Sequence, residues 1–582
     1  MKKGITLFIL LLSACMYYNP AFSANVSVEK ALNVAINFAK QQIDAKSTDM
    51  SLVYTRDNTA YVFSNEKIWV IISADDRAKP VLAYSTEGSF RVPSSDTDTI
   101  IGDNFWGWIK SYQEQIQYAI TNDIPASQEV SDQWETLSSS EIAWQAGNGR
   151  GTTTVVNPLL STTWGQGWPY NSMCPSNPAG PGGHVWAGCV ATAMAQIMKY
   201  HNYPSQGLGS YGYQWETYPY TGADFGTTTY NWANMPNSIS SVNTDVATIT
   251  YHAAVATRSM WGAGSTGVGW YNDQEPMTRA FVNYFRMAYS SLEYVKKVNY
   301  STTDWYNLLD GELLANRPVY YRGNGTSGHA WVCDGVDANA MYHFNWGWDG
   351  DYNGYYSLNA INPGGQNFND NQTAIIGIQA NDGSTLVTNT TWSGNLNHTS
   401  KIAVPDAITL TVQPGSNILF GGGAKLQVYG RLLSIGTANN YVRFSSIDTN
   451  NRWHGIKWDN EYNWYDVMAD NDSSKLIYTQ VEYSGMHGLY TSRFGKILVK
   501  NSKINNNNSI GTGGNSSNGY GGGIFVDFHS IDILDTEIYK NHANVWGGVF
   551  SFNIPKMELP ISAKMTYMTI WHLGGGVNNI LW

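Results

Sequence analysis

A chain of 582 residues is too long for one ordinary core, and at about 150 residues per domain it suggests three or four units. Only 14% of its residues are charged, against roughly 25% in an average soluble domain, while Trp, Tyr and Gly are plentiful, a texture of strands and loops that suits an extracellular protein. The formal charge of -11 offers no basic footprint, which argues against nucleic acid as a partner.

The opening "MKKGITLFILLLSACMYYNPAFSAN" sets two lysines before an apolar run from Ile5 to Leu12, the layout of a secretory signal peptide and too short to span a bilayer. Small residues around Ala21-Phe22-Ser23 predict a leader over residues 1-23 and a secreted protein. Leu12-Ser13-Ala14-Cys15 offers the alternative of a lipid anchor through Cys15 at a bacterial surface. The remaining cysteines, Cys174, Cys189 and Cys333, exclude a disulfide scaffold and leave room for a free reactive thiol.

Residues 24-123 read as a small α+β unit. "VEKALNVAINFAKQQI" has helical spacing, "TAYVFSN", "KIWVIISADD" and "PVLAYS" read as strands, and "NFWGWIKSYQEQIQYAI" is a second helix. Residues 124-154 are polar and rich in Ser and Gly with no sustained period, which predicts a linker. Residues 155-380 follow as an α+β unit: "CVATAMAQIMKYH" and "DWYNLLDGELLAN" are helical, and "RPVYYRG", "GHAWVCDGVD", "MYHFNWGWDG" and "GYYSLNAINP" form successive strands.

Beyond Asn381 short strands alternate with Gly and Asn. A hydroxyl-x-aliphatic pattern recurs at Thr479/Val481, Ser502/Ile504 and Thr536/Ile538, in steps of 23 and 34 residues, which suits solenoid coils with loop insertions. Residues 381-582 thus resemble a right-handed parallel β-helix. Coils contact mainly their neighbours, so the unit is expected to be energetically separable from the one before it. From Ile554 the pattern is lost without an evident polar cap, as a truncated or altered end would lose it.

Cys189 stands directly after Gly188 at the head of a helical run. Unsatisfied amides and the helix dipole favour thiolate there, although a lone cysteine is more often a packed core thiol. A nucleophile needs a base brought to it by the fold. His329, in "TSGHAWVCDG" at the start of an apolar strand, has the best surroundings, and His184 in "PAGPGGH" is its rival. Gln166 in "TTWGQGWPYN" offers an amide for an oxyanion, and Asn345 and Trp346 lie on the strand after His329, where either could orient or shield an imidazole. A zinc site lacks the necessary CxxC or HExxH spacing, so no metal and no cofactor is expected.

Together "GCVATAMAQIMKYHNYP", "RPVYYRGNGTSGHAWVCDG" and "YHFNWGWDGDYNGYYSLNAINP" resemble the streptopain-like cysteine peptidases, a papain-fold family that includes secreted bacterial virulence proteases. "YVFSN", "WVIISADDRAKPVLAYSTEGSF" and "WIKSYQEQI" are similar to that family's inhibitory propeptide. The resemblance implies a papain-like α+β catalytic domain and a zymogen. It implies Cys189 as nucleophile, His329 as base and acid, Gln166 with the Cys189 backbone N–H in the oxyanion hole, and Trp346 beside the histidine. Asn345 is the alternative orienting amide. The partners implied are protein or peptide substrates and the chain's own propeptide, released by a cut in the linker, for which Arg150 is one candidate. A surface protein with an inactive papain-like unit and a glycan or cell-surface ligand on the β-helix is the competing reading. Retention of both Cys189 and His329 argues against it.

Overall fold

The computed structural model describes residues 25-42, 49-93, 103-139, 154-269, 276-324, 328-361, 372-459, 473-492, 496-509, 521-527 and 531-544, together with strand backbone at 550-553, 565-566 and 569-571. The expected leader, Cys15 and Arg150 lie outside these residues. The chain divides into two compact units, 1-163 with 296-374, and 164-295 with 375-582.

In the first unit, α1 (Val28–Gln42) packs on an antiparallel run of β1 (Ser51–Arg56), β2 (Ala60–Ser64), β3 (Trp69–Ser73) and β4 (Val81–Ser85). β3 and β4 are buried throughout, as their unbroken apolar sequences require. α2 (Asp103–Thr121) follows. The same sheet continues through β5 (Val319–Asn324), β6 (Gly328–Val336), β7 (Tyr342–Asn345) and β8 (Gly354–Tyr356), in the order β1-β2-β3-β4-β8-β7-β6-β5. The join is the pairing of Tyr355 with Tyr84 and Tyr356 with Ala83. A Cβ on Gly354 would lie 2.5 Å from the Tyr84 carbonyl oxygen, so only glycine lets β4 approach β8 there.

The stretch expected to be all linker contains a helix, α3 (Gln128–Ser138). Ser127 caps it by accepting from the Val130 N–H at 3.2 Å. Val130, Trp134 and Leu137, spaced i, i+4 and i+7, enter a core with Val34 and Phe38 of α1. One apolar stripe among polar residues is enough for a short helix, although no long period announces it. The rest of that stretch, 140-153, lies outside the described residues.

In the second unit, α4 (Cys189–His201) is buried from Cys189 to Met198 and ends in a left-handed Asn202. It packs against α5 (Thr244–Ala256), which Asn243 caps. Among the described residues beyond 381 are three parallel sheets of seven, seven and six strands and a two-stranded parallel pair, and from Thr390 to Asn505 successive strands visit the three sheets in rotation, an arrangement compatible with a β-helix. Val481 pairs with Ile504 and Ile504 with Ile538, the register that the sequence steps of 23 and 34 demand. The hydroxyls form a ladder beside them: Ser502 Oγ accepts from the Thr479 N–H at 3.1 Å and Thr536 Oγ1 from the Ser502 N–H at 3.3 Å.

These coils are not a loosely tethered module. Leu208 belongs to their apolar core, and Tyr289 and Ser290 donate their N–H groups to Ser384 Oγ. Lys401 Nζ donates to the Leu292 carbonyl at 2.8 Å and lies 5.3 Å from the Tyr289 ring centroid. One end of the parallel sheets thus buries polar and apolar groups of the preceding segment.

Candidate active site

Cys189 is the first residue of α4, a helix start that Gly188 makes possible. Gly188 has φ 94°, a region that favours glycine, and a Cβ there would stand 2.9 Å from the Thr266 carbonyl oxygen. The Gln166 segment is strapped to this helix start. Trp164 N–H donates to Gln196 Oε1 at 3.1 Å, Ala187 N–H donates to the Gln166 carbonyl at 2.9 Å, and Thr192 Oγ1 donates to the Gly188 carbonyl at 3.2 Å.

Gln166 itself is 5% exposed, and its Nε2 makes no hydrogen bond among the described residues. An unpaired buried donor costs about 1 to 3 kcal/mol. Neighbouring candidates are occupied. His184 directs Nδ1 to the Cys174 carbonyl at 2.8 Å and stacks on Trp168. Burial pushes the Cys174 thiol well up, and burial followed by the Asp334 and Asp310 charges does the same to Cys333, as expected of packed thiols.

His329, Trp346 and Asn345 belong to the first unit, whereas Cys189 and Gln166 belong to the second. His329 is the second residue of β6, paired with Gly323 of β5. Burial, with the Arg322 charge as a lesser cause, lowers its pKa to about 4, so the ring is neutral in the full-length chain. An imidazolium is disfavoured there. Trp346 is fully buried in an aromatic cluster, 4.8 Å from Trp331 and 5.1 Å from Tyr356 between ring centroids. Asn345 Nδ2 donates to the Thr162 carbonyl at 2.7 Å, and its Oδ1 accepts from the Gly347 N–H at 3.2 Å.

The N-terminal elements reach the backbone beside these residues. Asn104, in the first turn of α2, donates from Nδ2 to the Trp346 carbonyl at 2.8 Å and to the Ala330 carbonyl at 3.4 Å, and accepts from Trp348 Nε1 at 2.7 Å. Phe105 stacks on Tyr352 at 4.2 Å. Sequence reasoning missed a second junction. His343 of β7 is buried, with Nδ1 2.6 Å from Asp334 and Nε2 2.9 Å from Glu87 in the segment after β4. Burial alone would lower its pKa, but the two carboxylates outweigh burial and raise it to about 9. The only sequence signal was a histidine inside an otherwise apolar strand, "MYHFNW".

Residues 164–356 match the Peptidase C10 family, and residues 23–116 match the Spi protease inhibitor family. The chain is 33% identical over 341 residues to streptopain of Streptococcus pyogenes, an alignment that covers 53% of this chain and 78% of that protein. It is 32% identical over 386 residues to the thiol protease/hemagglutinin PrtT of Porphyromonas gingivalis, covering 61% of this chain and 42% of that longer protein. Among solved structures, a prointerpain A fragment from Prevotella intermedia is 29% identical, with a TM-score of 0.47, and covers 57% of this chain and 99% of the fragment.

Proposed function

Because the chain belongs to the C10 family of cysteine peptidases and carries that family's inhibitor segment, we propose that it is an exported bacterial cysteine endopeptidase made as a zymogen. The observation that carries the reading is the juxtaposition, in one unit, of a cysteine at a helix N-terminus with a buried, unpartnered glutamine amide strapped to that helix start. A nucleophile and a waiting oxyanion donor are the two parts that acyl transfer needs from a rigid scaffold.

In the proposed reaction the Cys189 Sγ–H proton passes to His329, and Sγ bonds to the substrate carbonyl carbon. The carbonyl π electrons move to oxygen, where the Gln166 amide and the Cys189 N–H donate. Collapse breaks the C–N bond as His329 hands its proton to the leaving amine. Water, deprotonated by His329, then hydrolyses the thioester and restores the thiol. Trp346 is assigned to orienting or shielding the histidine, with Asn345 as the alternative.

The segment before residue 124 is assigned as the inhibitory propeptide. Support comes from Asn104, which donates to the carbonyl of Ala330, next to His329, and to that of Trp346. The parallel sheets beyond 381 are read as a right-handed β-helix with a surface or glycan ligand, and residues 1-23 as the export signal. The test compares full-length and processed protein on a quenched peptide. Cleavage blocked by iodoacetamide and untouched by chelators is expected of the processed form only. Full turnover by a verified uncleaved precursor would remove the zymogen reading, and chelator sensitivity the mechanism.

A further inference from the structure

Trp168 stands two residues beyond Gln166 and is 47% exposed, an uncommon position for an indole so close to a buried amide. The loop is built around the ring. His184 stacks on it with centroids 6.0 Å apart and planes 17° from parallel, and His184 is itself fixed on the Cys174 carbonyl at 2.8 Å. Gly182 has φ 64°, and a Cβ there would stand 2.5 Å from Trp168 Cε3, so the backbone passes against the indole where no side chain fits. Asn171 Nδ2 ties both ends of this turn, donating to the Pro181 carbonyl at 2.9 Å and the Val185 carbonyl at 3.0 Å.

The same turn adjoins the nucleophile. A Cβ on Gly167 would lie 3.0 Å from Trp186 Cζ3, and Ala187, two residues before Cys189, donates its N–H to the Gln166 carbonyl. Residues 166-167 therefore lie beside 186-187, two to three residues before Cys189. A rigid aromatic that keeps close to half its surface in water retains contact area at little entropic cost to a later ligand.

We propose that Trp168 is a specificity-determining residue, its exposed indole receiving an aromatic or aliphatic side chain of the peptide substrate next to the scissile bond. The proposal rests on the peptidase reading above. It assigns the long loop between Gln166 and Cys189 to substrate selection.

The experiment uses processed wild-type, Trp168→Ala and Trp168→Phe enzymes on a peptide library randomised on both sides of the cut, followed by matched peptides with Leu or Gly at the preferred position. Trp168→Ala is expected to lower kcat/KM roughly tenfold more for the Leu than for the Gly peptide, mainly through KM, and Trp168→Phe to recover most of the difference. The rate of Cys189 alkylation by iodoacetamide reports whether the loop still supports the helix start. An unchanged residue preference in Trp168→Ala would overturn the proposal. An equal loss on both peptides with slowed alkylation would also overturn it, by making the role structural. Absence of any cleavage by wild type would instead sink the peptidase reading itself.

Discussion

Gln166 and His329 show how single residues carry opposite costs in the full-length chain. Gln166 holds a buried Nε2 with no hydrogen-bond partner among the described residues, so Gln166→Ala removes an unsatisfied group along with some packing. Its Tm is expected to change little while kcat falls by about a hundredfold or more, the usual loss for one oxyanion donor. Cys189→Ala and His329→Ala should be near-dead under the same assay, whereas Cys174→Ala and Cys333→Ala should mainly lower stability, because both thiols are buried. His329 is depressed to about 4, below the ordinary 6.5. The fold therefore favours the neutral ring, and the stability this gives is complete above about 6.5 and lost as pH falls through 4. Nuclear magnetic resonance of His329 in a Cys189→Ala precursor should find its midpoint near 4, and removal of residues before 154 should move it up as water reaches the ring. A midpoint unmoved by removal would show that the propeptide is not what buries it.

At the scale of elements, β4 and β8 form the seam between propeptide and catalytic sheet, and His343 is the charged group beneath it. Its pKa is raised to about 9, so the contribution runs the other way: it is fully present below about 6.5 and lost as pH rises through 9. Glu87 is lowered from 4.5, chiefly by its hydrogen bond to His343, so its share is present above 4.5 and lost on acidification. The seam is thus firmest between roughly 4.5 and 6.5 by these groups. Glu87→Gln should speed conversion of the precursor and weaken the alkaline fall in its melting temperature, leaving Asp334 to sustain the rest. An unchanged conversion rate would assign Glu87 a passive role. α3 makes a parallel case: Trp134 is 4% exposed and donates Nε1 to the Ala78 carbonyl at 2.8 Å. Trp134→Ala should cost about 3 to 5 kcal/mol in denaturant unfolding and loosen the propeptide with it.

For the whole molecule, the shared core of the second unit decides what a truncation does. Ending the chain at residue 380 would uncover Leu208 and Tyr289 and leave the Met287 and Leu292 carbonyls without the donors Thr385 and Lys401. The shortened protein is expected to melt several degrees lower than the full chain and to lose activity in proportion to its folded fraction. Equal melting temperatures for the two lengths would restore the view of the tail as an independent module.

The sequence by itself determined what depends on local pattern and residue chemistry. Helical spacing announced α1, α2 and α4, the glycine before Cys189 announced a helix start at the cysteine, and the 23- and 34-residue steps announced the parallel register of Val481, Ile504 and Ile538. Long motifs around Cys189, His329 and Trp346 also sufficed to indicate the family. Tertiary structure decided whatever depends on partners distant in sequence. His343 is a charged junction because Asp334 and Glu87, the latter 256 residues away, meet it, and the pKa of His329 is low chiefly because the fold withdraws water from it. The stripe of α3 matters because α1 faces it, and the parallel sheets beyond 381 are tied to their neighbour because Leu208 enters their core and Tyr289, Ser290 and Leu292 hydrogen-bond to them. Burial and long-range contact set these energies, and neither quantity is written in a local window of residues.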